Sequence, residues 1–99
     1  MSYDPLQIIQ ETDLSLFTEI RNMQELAYED GEISKKHKLL IALAIDAAKR
    51  AENGIRSLAV QAIENGASKN EIMETLRVVN YICGAGSMYP AAAALKDIL

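Results

Sequence analysis

At 99 residues the chain is the size of one domain, and a globule of that length buries only about two thirds of the surface its unfolded chain exposes, which leaves no room for a second independent core. Hydrophobic residues make up 49% of the sequence, yet only 5% of it is aromatic and Trp is absent, so the core has to be built from Leu, Ile and Ala. A net charge of -4 with 10 basic residues gives no general attraction to nucleic acid or to an anionic membrane, and neither partner is expected.

The start, Met1-Ser2-Tyr3-Asp4-Pro5, has no basic region followed by an apolar stretch and does not read as a secretory signal. The longest apolar run, 39–45, is far shorter than the roughly twenty residues a bilayer span needs. A single cysteine, Cys83, can form no disulfide within the chain and supplies no structural zinc site by itself. These features read together as a cytoplasmic protein with no metal and no cofactor.

No segment alternates apolar and polar residues with a period of two, whereas several repeat apolar residues every three or four positions, so the pattern predicts an all-α domain spanning 1–99 with about five or six helices. Asp4 and Pro5 suit the cap and first position of a short opening turn through Leu6, Ile8 and Ile9. A second helix begins near Thr12 or Asp13, places Leu16, Ile20, Met23 and Ala27 on one stripe, and is punctuated by Gly31.

Ser34 can cap the third helix, whose first turn carries Lys35, Lys36, His37 and Lys38. Cations there oppose the helix dipole by about 0.3–1 kcal/mol each, so they need another reason to be present. An acidic partner such as Glu29, Asp30 and Glu32 of a neighbouring subunit is one; an ordinary solvated face is the plainer alternative. From 39 to 48 the only polar residue is Asp46, so this helix is expected to be central and buried, in part by another subunit. Asp46 is expected to pair with Arg50, one turn along, with a functional acid as the alternative.

Glu52-Asn53-Gly54 is expected to weaken or break the helix, after which Ile55, Leu58, Ala59, Ala62 and Ile63 form the next apolar stripe. Asn65-Gly66 is a C-terminal stop, and Ser68 with Glu71 forms a capping box in which each side chain satisfies the other's free amide. Ile72, Leu76, Val79, Ile82 and Cys83 mark the following helix, interrupted by Gly84-Ala85-Gly86-Ser87, and an Ala-rich helix from 91 onward completes the chain. In that stripe Cys83 reads as a small buried hydrophobe, with a redox-active thiol as the alternative. His37, amid lysines, reads as a solvated side chain, with a general base at a pocket mouth as the alternative.

The apolar run 39–45, the segment 51–58 and Gly66-Ala67-Ser68-Lys69-Asn70-Glu71-Ile72 are together similar to the carboxymuconolactone decarboxylase and alkylhydroperoxidase D family over roughly residues 30 to 95. In the thiol-active branch a Glu lies 12 residues before a Cys-x-x-Cys, and a His follows the second Cys by 4 and precedes the Gly of the Gly-Ala-Ser turn by 8. Those positions fall here on Leu39, Ala51, Gly54 and Leu58, none of them ionisable. The resemblance implies the family fold, a homo-oligomer (a trimer or hexamer) and a pocket at those four positions. It equally implies that thiol peroxidation, which needs a thiolate and a base to generate it, cannot run at them, and no catalytic residue is assigned.

The decarboxylase branch also shows a Tyr-x-x-Gly segment like Tyr81-Ile82-Cys83-Gly84. Its chemistry would require a cation for the substrate carboxylate and an acid to protonate the resulting carbanion. Arg50, Arg56, Arg77, His37 and Tyr81 are the right residue types. The expectation is a relay-free family member that binds a small apolar ligand or serves a structural role as an oligomer. The alternative is an enzyme acting as a lactone decarboxylase or hydroperoxide reductase through replacement residues.

Overall fold

A computed structural model of the chain describes residues 4–99. Among them are six α-helices and one 3-10 turn: α1 (Gln7–Thr12), α2 (Leu14–Tyr28), α3 (Lys35–Ala48), α4 (Glu52–Glu64), α5 (Lys69–Cys83), the turn Ala85–Ser87, and α6 (Met88–Leu95). No strand occurs among the described residues.

The caps explain where the helices begin. Asp13 accepts a hydrogen bond from the Leu16 amide at 3.0 Å and starts α2, and Ser34 accepts from the His37 amide at 3.3 Å and starts α3. The capping box of α5 is complete: the Glu71 amide donates to Ser68 Oγ at 3.0 Å, and the Ser68 amide to Glu71 Oε1 at 2.9 Å. Asp4 works one turn earlier than a helix cap would. It accepts from the Leu6 amide at 3.0 Å in the turn that precedes α1.

Two cations in the first turn of α3, those of Lys36 and Lys38, are used within the chain, and the Lys35 backbone is tied down beside them. Lys36 Nζ lies 2.9 Å from Glu71 Oε2, Lys38 Nζ donates to the Glu29 carbonyl at 2.5 Å, and the Lys35 amide donates to Asp30 Oδ1 at 2.7 Å. These bonds offset the unfavourable dipole and tie the α2–α3 connection and α5 to the start of α3.

Helix α3 is the hub. Leu39, Leu40, Leu43 and Ala47 are buried and meet Ile55, Ala59 and Ala62 of α4, Ile72, Leu76 and Val79 of α5, and Ala91, Ala94 and Leu95 of α6. The alanines let α4 and α6 approach closely, and Arg56 Nη1 donates to the Ala94 carbonyl at 3.2 Å to pin them together. The opposite face of α3 is bare: Ile41 and Ile45 are exposed.

The N-terminal helices stand differently, for neither α1 nor α2 contains a buried residue. The stripe of Leu16, Ile20, Met23 and Ala27 exists, but it faces outward, with Leu16 and Met23 exposed. The half-buried residues of α2 are Phe17, Ile20, Arg21, Gln24 and Tyr28. Arg21 holds that arrangement through a 2.7 Å ion pair with Asp4, its guanidinium carbon 5.0 Å from the centre of the Phe17 ring.

Two outcomes test this packing. Leu43 is fully buried, so Leu43→Ala should cost about 2–5 kcal/mol in denaturant unfolding. The Lys36 ammonium, and after it the Ser68 amide, hold the Glu71 carboxyl below its ordinary value of 4.5. A depressed carboxyl contributes stability that is complete above its unfolded value and is lost as the pH falls through its folded one. Acid titration of unfolding below that ordinary value should therefore be shallower in Lys36→Met than in the native chain; identical profiles would contradict the pairing.

Candidate functional site

The connection between α3 and α4 is made by a backbone reversal at an unusual residue. Arg50 has φ 59, the one positive φ of a non-glycine among the described residues. Its amide donates to the Ala47 carbonyl at 3.0 Å, and the Ala51 amide donates to the Asp46 carbonyl at 2.9 Å. This is the pair of bonds that closes a helix when the following residue is left-handed, a place usually held by Gly because a Cβ there costs about 1–2 kcal/mol. The expected weak point at Glu52-Asn53-Gly54 is instead the first turn of α4.

The reversal directs two charged side chains onto two glycines. The Asp46 carboxylate occupies the space that a Cβ at Gly54 would need, and the Arg50 guanidinium does the same at Gly86. The expected Asp46–Arg50 ion pair is consequently not formed among the described residues, whose ion pairs are Arg21–Asp4 and Lys36–Glu71. One turn of regular helix would have brought the two together; the left-handed backbone at Arg50 carries its side chain away toward the 3-10 turn.

Tyr28 is the unexpected member of this neighbourhood. It packs against the core, and burial first, with the Asp46 carboxylate second, pushes its phenol above its ordinary value of 10.0. The phenol therefore keeps its proton at neutral pH.

The four positions singled out by sequence fall into two kinds. Leu39 is fully buried and Leu58 packs against the same core, so both are filled apolar space. Ala51 and Gly54 are half-buried at the start of α4. His37 is exposed at the far end of α3, its Nδ1 3.0 Å from Ser34 Oγ, and the length of that helix, about 20 Å, keeps it from Arg50. Tyr81 is exposed, Arg56 is tied to α6, and Arg77 lines a separate groove. The structure does not bring the decarboxylase-type residues together.

Cys83 corrects the reading of a buried thiol: it is exposed. It continues the stripe of Ile72, Leu76 and Val79, but α5 overruns the core at that end, where Ile82 is also exposed, before Gly84 stops it with φ 85. No group of three or more His, Cys, Asp or Glu residues able to hold a metal ion occurs among the described residues, and no helix there is long and apolar enough to cross a membrane.

Sequence periodicity also missed a groove of about 590 Å³ between α5 and α6, with Met73, Leu76, Met88 and Leu95 among its apolar lining and Arg77 and Lys96 as its charged side chains. Each helix looks ordinary alone, and only their crossing makes the groove.

The family model for the carboxymuconolactone decarboxylase family matches residues 16–97. The chain belongs to that family. It is similar to a carboxymuconolactone decarboxylase family protein from Legionella pneumophila, with 31% identity over 92% of this chain and 81% of that one and a TM-score of 0.86. Two crystal structures from Thermotoga maritima share the fold at 24% identity, with TM-scores of 0.78 and 0.73; they cover 92% and 84% of this chain and 83% and 89% of their own. No curated protein matches the sequence.

The junction makes a specific prediction. In Asp46→Asn the Tyr28 phenol should titrate lower than in the native chain, yet still above 10.0 because burial is the larger cause. NMR titration of the Tyr28 ring is the measurement, and an unchanged midpoint would show that the carboxylate does not act on the phenol.

Proposed function

We propose that this protein is a homo-oligomeric, small-molecule-binding member of its family that works without the dithiol peroxidase relay. The observation that carries the reading is the state of the four relay-equivalent positions. Leu39 and Leu58 are part of the apolar core, where no proton can be passed, and Gly54 is covered by the Asp46 carboxylate. The ligand that suits the half-buried start of α4 at Ala51 is neutral or amphipathic, with the Asp46 carboxylate over Gly54 as the polar group at its edge.

Assembly, as the trimer or hexamer implied by the family resemblance, is supported by surface area. A monomer of 10.9 kDa is expected to expose about 5,600 Å², whereas this chain exposes 6890 Å². Its radius of gyration of 14.4 Å likewise exceeds the roughly 12.6 Å of a compact domain of this length.

A second reading, lactone decarboxylation or hydroperoxide reduction through replacement residues, is favoured by one observation. The Asp46 carboxylate lies over Gly54, where it can serve as a base, and the Tyr28 phenol, raised by burial and then by that carboxylate, is a protonated acid. The cation for a substrate carboxylate would then have to be Arg50, which lies on Gly86.

Steady-state turnover of an organic hydroperoxide with dithiothreitol or dihydrolipoamide separates the readings. The relay-free protein should show no turnover above the uncatalysed rate, and Cys83→Ser should leave that result unchanged. Robust turnover abolished in Cys83→Ser would mean that the exposed thiol has taken over the chemistry, and turnover lost in Asp46→Asn would favour the replacement-residue enzyme.

A further inference from the structure

The chain divides sharply by charge at the end of its N-terminal arm. Residues 4–32 carry eight carboxylates, including Glu11, Asp13, Glu19 and Glu25, against the single Arg21; the remaining nine basic residues all follow. The arm is also weakly packed: α1 and α2 contain no fully buried residue, and Tyr28 is the residue of α2 that packs against the core. At about 100° per residue, Leu16, Met23 and Leu26 fall within one third of the circumference of α2 with Glu19 among them, and the three apolar residues are exposed by 48%, 64% and 64%.

A complementary surface lies on the other side of the charge division. The groove between α5 and α6 has an apolar lining that includes Met73, Leu76, Met88 and Leu95, and its charged side chains are both basic, Arg77 and Lys96. An apolar helix face with a carboxylate in its midst is what such a groove accepts. The arm of the same chain is not its occupant, because α2 packs beside α3 and Tyr28 is fixed against the core there.

We infer that the α2 arm of one copy seats its Leu16–Met23–Leu26 stripe in the α5–α6 groove of a second copy, with Glu19 facing Arg77 or Lys96. This rests on the assembly reading above and specifies how that assembly is made. Because the arm and the groove are different patches, the contact is heterologous unless two copies exchange arms reciprocally, and repetition around an axis closes a ring.

The division of labour between two patches permits a complementation test. Met23→Glu/Leu26→Glu spoils the arm and leaves the groove intact, while Met73→Glu places a carboxylate in the groove and leaves the arm intact. All three positions are exposed in the single chain, so circular dichroism should report unchanged helix content in both variants. Size exclusion with light scattering should find the native chain oligomeric, each variant alone monomeric at micromolar concentration, and an equimolar mixture containing heterodimers of twice the chain mass, joined by the one intact arm and the one intact groove. A monomeric native chain would overturn the assembly reading and this inference together. An oligomeric native chain whose mass survives Met23→Glu/Leu26→Glu, or a mixture that stays monomeric, would overturn this inference while leaving assembly standing.

Discussion

The constraint on which the rest of the structure depends is that this chain has more large apolar side chains than its own core can hold. Among the described residues fourteen hydrophobic ones are buried, six of them alanines, and fifteen large hydrophobic ones remain exposed. With about 25 cal/mol gained per Å² of apolar surface removed from water, covering even part of that surplus outweighs many surface ion pairs. Helix α3 shows the consequence. Its buried side organises α4, α5 and α6, while Ile41 and Ile45 on its bare side, the α2 stripe and the end of α5 wait for something to cover them.

Within the single chain, the end of α3 decides what chemistry is available. A left-handed Arg50 turns the backbone so that Asp46 falls on Gly54 and Arg50 on Gly86. Neither glycine can gain a side chain without displacing a charged group. The space beside Gly54 is therefore occupied by a carboxylate from the preceding helix. Leu39 and Leu58, at the positions of the proton-moving pair, are absorbed into packing. The same turn thus sets where the Asp46 carboxylate and the Arg50 guanidinium lie.

Features governed by local hydrogen bonds were legible in the sequence: the Ser34 and Asp13 caps, the Ser68–Glu71 box, and the stop at Gly66, which has φ 96. The all-α pattern and the family resemblance were legible too, because both reside in spacing. What was not legible depends on which neighbour a helix meets. Helix α2 has apolar residues on two faces, and only its docking on α3 decides that Phe17 and Tyr28 turn inward while Leu16 and Met23 turn out. Cys83 keeps perfect register with the buried stripe of α5, but register does not say where the partner helices end. The stop of α3 carried no glycine signal, so the fates of Asp46 and Arg50, and with them the candidate site, could be read only from the folded chain.

In the proposed assembly a second copy covers the apolar surplus, which makes folding and association one equilibrium. The most direct test is the melting temperature of the native protein measured by calorimetry across a hundredfold dilution series. Coupled folding and assembly predicts a melting temperature that falls steadily as the protein is diluted. A melting temperature independent of concentration, in a sample that sediments as a monomer throughout, would contradict the account, because the exposed apolar residues would then be stable in water uncovered.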